Sequence, residues 1–404
     1  METWLTYLAA LLMAGATAFA FPQSSAVYTA VHYASEYLTA AGVFIFIPVS
    51  FITLSSGVAS LRKDRLGRKA VAVNVIWALA SSVVLALLGI LVEKAFSLTF
   101  PVTASAGGDY VALYNAHAEA IDVTGILSSM NSIFLPMVLL ALITGMAITP
   151  SSDIIRPAYT VFNSLSEAMY RIGRCITYFG AFYVYIRGTD FFITLWREKT
   201  AFVAPSFFLR TAGASLIMLL LVLPLLYAIF TGFRKNPYEV LWKVFPSIVF
   251  AFVSGNIFFS SLQNGAISRN SMGVQKRIVS TSTPFGIVIT RGGTCFVSTV
   301  TVLSILSSLG AEVTLASALL IALVTVLLSL LSSMASGSET ALIVIVLFKL
   351  LNINVYGAEA AVISVIPFLN ALSSMIDITL ISMASGIIAV RTKTDITVPV
   401  RDTI

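Results

Sequence analysis

The chain is poor in the residues on which most metal and nucleophilic chemistry depends. Two cysteines, Cys175 and Cys295, and two histidines, His32 and His117, occur in 404 residues. Each cysteine sits in apolar surroundings, so neither a disulfide framework nor a cysteine-based metal site is indicated. Two histidines likewise make a His-dependent metal centre or a Ser-His-Asp enzyme a poor fit. Charge is scarce as well: 10% of residues are charged, against about 25% in a soluble globular protein. Apolar residues make up 58% of the chain. At about 20 residues per membrane helix, that supplies on the order of eight to ten spans. The composition therefore describes an all-α polytopic membrane protein, not a soluble domain.

Strongly apolar stretches run at residues 3–22, 37–60, 71–94, 124–149, 162–187 and 207–233, which read as six full spans. The first offers Ala18-Phe19-Ala20 at a plausible cleavage spacing, but it opens on Glu2 and has no basic segment before it, so it reads as a span and not as a signal peptide. Residues 100–122, polar and containing Gly107-Gly108, read as an exposed loop.

Beyond residue 240 the apolar runs are interrupted in mid-course. Breaks fall at Ser254-Gly255-Asn256 through Ser260-Ser261, at Thr290-Arg291-Gly292-Gly293-Thr294, and across 332–340. In hydrocarbon each unpaired N–H or C=O costs several kcal/mol, so interrupted helices persist only where protein or a watered cavity satisfies the freed groups. The outer two breaks read as tips of re-entrant hairpins and the middle one as an unwound stretch of a seventh span. An eighth span covers 358–390. Two broken hairpins, each followed by a spanning helix, suggest inverted repeats around a midplane site.

The 24 basic against 18 acidic residues give a net charge of +6. With the N-terminus inside, most basic residues, including Arg62, Lys63, Arg68, Lys69, Arg234, Lys235, Lys276, Arg277, Arg391 and Lys393, fall on the inner side. Lys94, Arg187, Arg197, Lys199 and Arg210 fall on the outer one. This is the positive-inside pattern with both termini cytoplasmic in a cell membrane, and it accounts for the charge without nucleic acid.

Ionisable residues within spans are functional candidates because their burial is costly unless they are paired or face water. Arg291 lies beside Gly292-Gly293, where a ligand or backbone can approach closely, and a guanidinium binds a carboxylate through two parallel hydrogen bonds. A structural ion pair is the competing reading. Asp377 is the only carboxylate inside the last span and a candidate partner for Arg291. Glu339, at the second hairpin's tip, is a candidate too, or simply a carboxylate favoured at a helix N-terminus. Glu167 and Arg171 have the i,i+4 spacing of a structural pair.

Several stretches, in shared order over nearly the whole chain, resemble the dicarboxylate/amino acid:cation symporter family, the glutamate and aspartate transporters. Ile47-Pro48-Val49-Ser50-Phe51, Gly57-Val58-Ala59-Ser60 and Arg65-Leu66-Gly67-Arg68 are similar to its second span and the loop after it. Phe134-Leu135-Pro136 with Gly145-Met146-Ala147-Ile148-Thr149 resembles its fourth span, and Leu165-Ser166-Glu167-Ala168-Met169-Tyr170 its fifth. Ala251-Phe252-Val253 leads into the first hairpin, and Pro284-Phe285-Gly286 precedes the unwound motif by the family's spacing. The resemblance implies eight transmembrane helices plus two re-entrant hairpins in a homotrimer. A scaffold (1–60 and 124–187) would hold a transport domain (71–94 and 207–392) that moves as an elevator, with 393–404 as a cytoplasmic tail.

The resemblance also implies site positions. Substrate contacts fall at Ser260, Ser261, Arg291, Thr294, Ser336, Gly337, Asn370, Ser373, Ser374 and Asp377, and ion contacts at Ser81, Gly286, Thr290, Asp377 and Ser382. Here the chain departs from the pattern. Where the family has Asn-Met-Asp-Gly-Thr, this chain has Thr290-Arg291-Gly292-Gly293-Thr294. In the third span the family's Tyr and Thr-Ser ligands become Trp77, Ala80 and Ser81. In the eighth, Asn370 replaces an aspartate, Ser373 an arginine and Asp377 an asparagine, while the later ion-binding aspartate falls at Ile381 or Ser382. Sodium is the co-substrate the resemblance implies, yet most of its side-chain ligands are unmatched. A guanidinium would repel a hard cation that seeks oxygen ligands. The sequence thus reads as a secondary transporter of a small organic acid, an amino acid or a dicarboxylate, with weak or absent sodium coupling and Arg291 paired to Asp377 or to substrate. A neutral amino acid symporter that keeps sodium coupling and an uncoupled anion channel are the alternatives. An enzyme using Glu339 and Asp377 lacks a recognisable nucleophile and base.

Overall fold

The computed structural model describes residues 3–22, 24–63, 66–96, 98, 100, 134–148, 153–197, 205–308, 310–311, 313–332, 337–350, 358–394 and 398. Their regular structure is helical throughout: α1 (Thr3–Ala20), α2 (Ser25–Lys63), α3 (Gly67–Phe96), α4 (Phe134–Ala147), α5 (Arg156–Arg197), α6 (Pro205–Ile217), α7 (Leu223–Thr231), α8 (Pro237–Ser254), α9 (Ile257–Asn270), α10 (Lys276–Ile289), α11 (Gly292–Ser308), α12 (Leu315–Ser332), α13 (Glu339–Leu350) and α14 (Ala358–Thr392). A single wide π-turn, Met218–Val222, joins α6 to α7 just before Pro224, whose ring nitrogen has no hydrogen to donate to the helix ladder. Residues 101–122, read as an exposed loop, lie outside the described residues, as does the first part of the expected fourth span.

Among the described residues six helical stretches are long and apolar enough to cross a membrane: Thr3–Ala20, Ser25–Lys63, Gly67–Phe96, Pro205–Thr231, Lys276–Ser308 and Val365–Thr392. That is fewer than the eight expected, for two physical reasons. The α5 helix is long enough but too polar on average, with Tyr, Gly and Arg spread along it, and α4 is described over only 14 residues. The chain is a multi-pass, all-helical membrane protein.

Burial separates the helices into two populations. A helix that is apolar all round belongs in a core; residues 368–390 of the last helix are buried at every position, and most of Lys276–Ser308 is buried as well. By contrast α1 to α7 expose large apolar side chains such as Leu12, Phe44, Ile76, Leu139, Phe179 and Leu221. The largest apolar core joins α3, α6, α7, α8, α11, α12, α13 and α14 around Trp77, Phe296, Phe348 and Ile376. A second core joins α1, α2, α4 and α5 to α8 and α9 around Tyr7, Leu54, Tyr183 and Phe258. Within it, Tyr7 donates to the Thr177 carbonyl (2.8 Å), accepts from Gln263 (2.8 Å) and lies where a side chain on Gly180 would stand.

Two helix pairs double back. Between α8 and α9 the chain turns at Gly255 (φ +57°), a left-handed conformation suited to glycine, and Asn256 restarts the helix by accepting the Phe258 (3.0 Å) and Phe259 (3.3 Å) amides. The α12 and α13 helices also pack together, and Gly337 (φ +82°) precedes α13. Between α10 and α11 lies the third interruption, Thr290 and Arg291, where Thr290 leaves helical geometry. The breaks at Gly255-Asn256 and at Thr290-Arg291 fall where the sequence places them, while residues 333–336 of the third lie outside the described residues.

Candidate functional site

The three breaks converge on one face of α14, and small side chains make the approach possible. A Cβ on Gly293 would stand 2.5 Å from the Ser373 carbonyl and 2.6 Å from Ile376 Cβ, so only glycine lets the start of α11 lie against α14. A Cβ on Gly292 would meet Leu380 and Leu85, each at 2.7 Å, and the Ser81 carbonyl at 3.4 Å. This proximity brings Asp377 to the first turn of α11, whose amide groups have no partner within the helix. Its carboxylate accepts the Gly293 amide (2.6 Å), the Thr294 amide (3.2 Å) and the Thr294 hydroxyl (2.6 Å). Asp377 is thus the cap of α11, a favourable place for negative charge.

Arg291 takes a different partner from the one the sequence suggests. It is 1% exposed, and Nη1 donates to Glu339 Oε1 at 3.4 Å, with Glu339 itself 2% exposed. No ion pair joins Arg291 to Asp377 among the described residues. The reason is local: three donors of α11 already occupy the Asp377 carboxylate, whereas Glu339, at the start of α13, accepts the Gly337 amide (3.0 Å) and faces the guanidinium. The Arg291 guanidinium lies 5.9 Å from the Phe258 ring centroid of α9. Its Nε and Nη2 have no partner among the described residues. Those two nitrogens form one edge of the guanidinium, the edge that takes a carboxylate through two parallel hydrogen bonds.

From Glu339 the contacts continue to the turns before α9 and α13. Gly337 offers its carbonyl to Asn370 Nδ2, and a Cβ on Gly337 would lie 3.4 Å from Asn256 Nδ2. Thr340 of α13 donates to Ser373 (3.1 Å), which in turn donates to the Asn370 carbonyl (3.2 Å). Asn370 therefore sits where the two turns meet, with Oδ1 unpaired among the described residues. Thr290 Oγ1 is unpaired in the same sense and stands 3.6 Å from where a Cβ on Gly286 would be. A cavity of about 690 Å³ opens beside Asn256 and Pro367, bounded on its far side by α2 and α5.

Of the residues named from the sequence, Arg291, Thr294, Gly337, Asn370, Ser373 and Asp377 are linked through this network, and Ser374 is buried on the next position of α14. Ser260 and Ser261 bond the Asn256 (2.7 Å) and Phe258 (2.6 Å) carbonyls at the start of α9, Ser260 also meets the Ser254 hydroxyl (2.9 Å), and Ser261 lines a small cavity toward α2 and α5. Ser81 donates to the Ala78 carbonyl (3.1 Å). Ser382 stands apart, bonded to Asn264 (2.6 Å) of α9. Ser336 lies outside the described residues. Sequence reasoning overlooked Phe258 and the role of Asn256 at the junction of the turns; the only signal was the helix-start signature of Asn after Gly. Glu167 is corrected too: it pairs with Arg269 (3.0 Å) and Lys276 (3.2 Å), which reach it from α9 and the start of α10, and not with the exposed Arg171.

A burial this expensive, gathered at three helix breaks, is the layout of a membrane transport site. A family model, that of the sodium:dicarboxylate symporter family, matches residues 4–390. The chain belongs to this family. No curated protein matches it. As a member of the sodium:dicarboxylate symporter family it is a multi-pass transporter of the symporter type, and the network around Arg291 is the place to look for its substrate. The match reaches almost to the end of α14, so the family model includes both doubled-back pairs and the broken helix between them.

Proposed function

We propose that the protein is a secondary active transporter of a small organic acid, an amino acid or a dicarboxylate, and that Arg291 holds the substrate's carboxylate. The observation that carries this reading is the Nε–Nη2 edge of a fully buried guanidinium, unpaired among the described residues. A buried donor without a partner costs about 1–3 kcal/mol, and more when charged, so a ligand that satisfies two at once gains in proportion. Asn370 Oδ1 and Thr290 Oγ1, also unpaired among the described residues, are suited to a substrate's amine or hydroxyl.

Sodium coupling is weak or absent in this reading. A cation site needs several oxygen ligands free to turn toward it. The two nearest carboxylates are engaged, Asp377 by three donors and Glu339 by Arg291 and Gly337, and Arg291 itself supplies a fixed positive charge. That charge ties the broken helix to the turn before α13, a task for which no mobile cation is then required.

The α2, α4 and α5 helices with α1 serve as a scaffold, and α3 with α6 to α14 as the moving transport domain of an elevator, in a homotrimer whose contacts use exposed apolar faces of the scaffold. The α8–α9 and α12–α13 pairs are its re-entrant hairpins. The protein resides in the cell membrane with both termini on the cytoplasmic side. Thermal stabilisation of the detergent-purified protein by acidic and neutral amino acids and C4-dicarboxylates, in sodium and again in choline, tests this: a ligand that binds only the folded form raises its stability. Stabilisation by one carboxylate class equally in both salts is the expected result. Stabilisation in sodium alone would overturn the sodium-independent reading.

A further inference from the structure

Where α2 and α5 meet, the cavity of about 690 Å³ has a charged wall that the transport reading does not use. His32 stands there between two carboxylates. Asp190 takes its Nδ1 at 3.0 Å, together with the Ser35 hydroxyl (2.7 Å) and Arg187 (2.5 Å). Paired to Arg187, Asp190 is ionised and only accepts, so the ring's first proton sits on Nδ1 and Nε2 keeps its lone pair. The carboxylate beside Nε2 is Glu36, one turn along α2, whose Oε1 lies 3.4 Å away. No hydrogen bond joins these two atoms among the described residues, so their geometry is not that of a second ring proton aimed at Oε1. Two acceptors this close repel unless a cation lies between them. The stacked Tyr28 ring (centroids 5.3 Å apart, 17° between planes) fixes the imidazole plane, and Glu36 is mostly exposed.

We propose that His32 Nε2 and Glu36 Oε1 bind a zinc ion in this cavity, with Asp190 orienting the imidazole. Zinc holds nitrogen and oxygen ligands at about 2.0–2.2 Å, and two of them at the tetrahedral angle stand about 3.3–3.5 Å apart. The 3.4 Å separation matches that edge. A carboxylate on the far ring nitrogen, as Asp190 is here, is the usual support of a zinc-binding histidine. No group of three His, Cys, Asp or Glu among the described residues encloses one ion, so the site has two protein ligands and water completes the tetrahedron. Arg187, and Arg197 over the Tyr28 ring (4.3 Å), balance Asp190 and Glu36, so binding rests on coordination and not on net charge. Imidazole with carboxylate therefore selects zinc over magnesium, which prefers six oxygens. The site neither uses nor depends on Arg291.

The full-length protein, purified without a histidine tag and stripped with chelator, is titrated with zinc chloride against a fluorescent zinc indicator and melted in zinc or magnesium chloride. The natural chain, Glu36→Gln, Glu36→His and His32→Gln are compared. The natural chain takes up one zinc ion saturably and gains stability from it, while magnesium has no such effect. Glu36→Gln weakens zinc binding about tenfold or more and, because Glu36 is exposed, leaves the metal-free melting point in place. Glu36→His, which pairs two imidazoles one helical turn apart, restores binding, and His32→Gln abolishes it. Absence of saturable zinc uptake, zinc binding unchanged in Glu36→Gln and His32→Gln, or an equal response to magnesium would overturn the proposal.

Discussion

Replacing Glu339 by Gln leaves the Arg291 guanidinium buried without its counter-charge. At 3.4 Å and with both groups almost wholly enclosed, the attraction lost is about 5 kcal/mol at an effective dielectric constant of about 20. Breaking a buried pair from one side typically costs about 3–5 kcal/mol. Arg291→Met alone strands the carboxylate and has a similar cost. The double variant removes both charges and sits within about 1 kcal/mol of the natural protein, because a buried pair replaced as a whole is often neutral. The double-mutant cycle therefore yields a coupling of at least about 5 kcal/mol. Equilibrium unfolding in mixed detergent micelles measures the four stabilities, and substrate uptake into liposomes is read alongside. Uptake is abolished in both variants lacking Arg291, including the one whose stability has recovered. If the two single losses simply add, the ion pair is not the clamp described here. If the Arg291→Met variants transport normally, the arginine is structural.

Asp377→Ala strips the cap from α11, leaves two amides and a hydroxyl unpaired, and lowers unfolding free energy by about 3 kcal/mol or more; a loss under about 1 kcal/mol would contradict the capping role. Asp190, 2% exposed, accepts Ser35 (2.7 Å) and His32 (3.0 Å) and pairs with Arg187 (2.5 Å) at the junction of α2 and α5. Its replacement by Ala destabilises by about 3 kcal/mol in the same unfolding assay without altering substrate selectivity. Gly293→Ala forces α11 from α14 at a cost of about 1–3 kcal/mol, and a substrate that stabilises the natural protein against melting loses that effect in this variant.

Much of the fold was legible because the membrane imposes a coarse grammar. Apolar runs announced α1, α3, the α6–α7 stretch and α14 to within a few residues. The breaks at Gly255-Asn256 and Thr290-Arg291 were legible because polar, helix-breaking residues have no business in hydrocarbon unless the fold accommodates them. Helix length was less so. The α2 helix starts at Ser25, well before residue 37, since its polar first turns are held by Asp190 across the molecule. Likewise α5 extends past both limits of its apolar run. The partners of Arg291 and Glu167 were not legible, because a sequence fixes spacing along one helix and leaves open which neighbour another helix brings. Asp377 looked free for Arg291 only while the close packing of Gly293 against Ser373 was unseen. The i,i+4 spacing of Glu167 and Arg171 was real but weaker than two cations arriving from α9 and α10.

The central claim is that a fixed arginine does at this site what a mobile cation does elsewhere. Counterflow of a radiolabelled carboxylate that stabilises the protein, in liposomes with choline on both sides and again with sodium, tests it most directly. Saturable exchange at the same rate in both salts, lost in Arg291→Met, is the predicted result; exchange that appears only in sodium would contradict the claim.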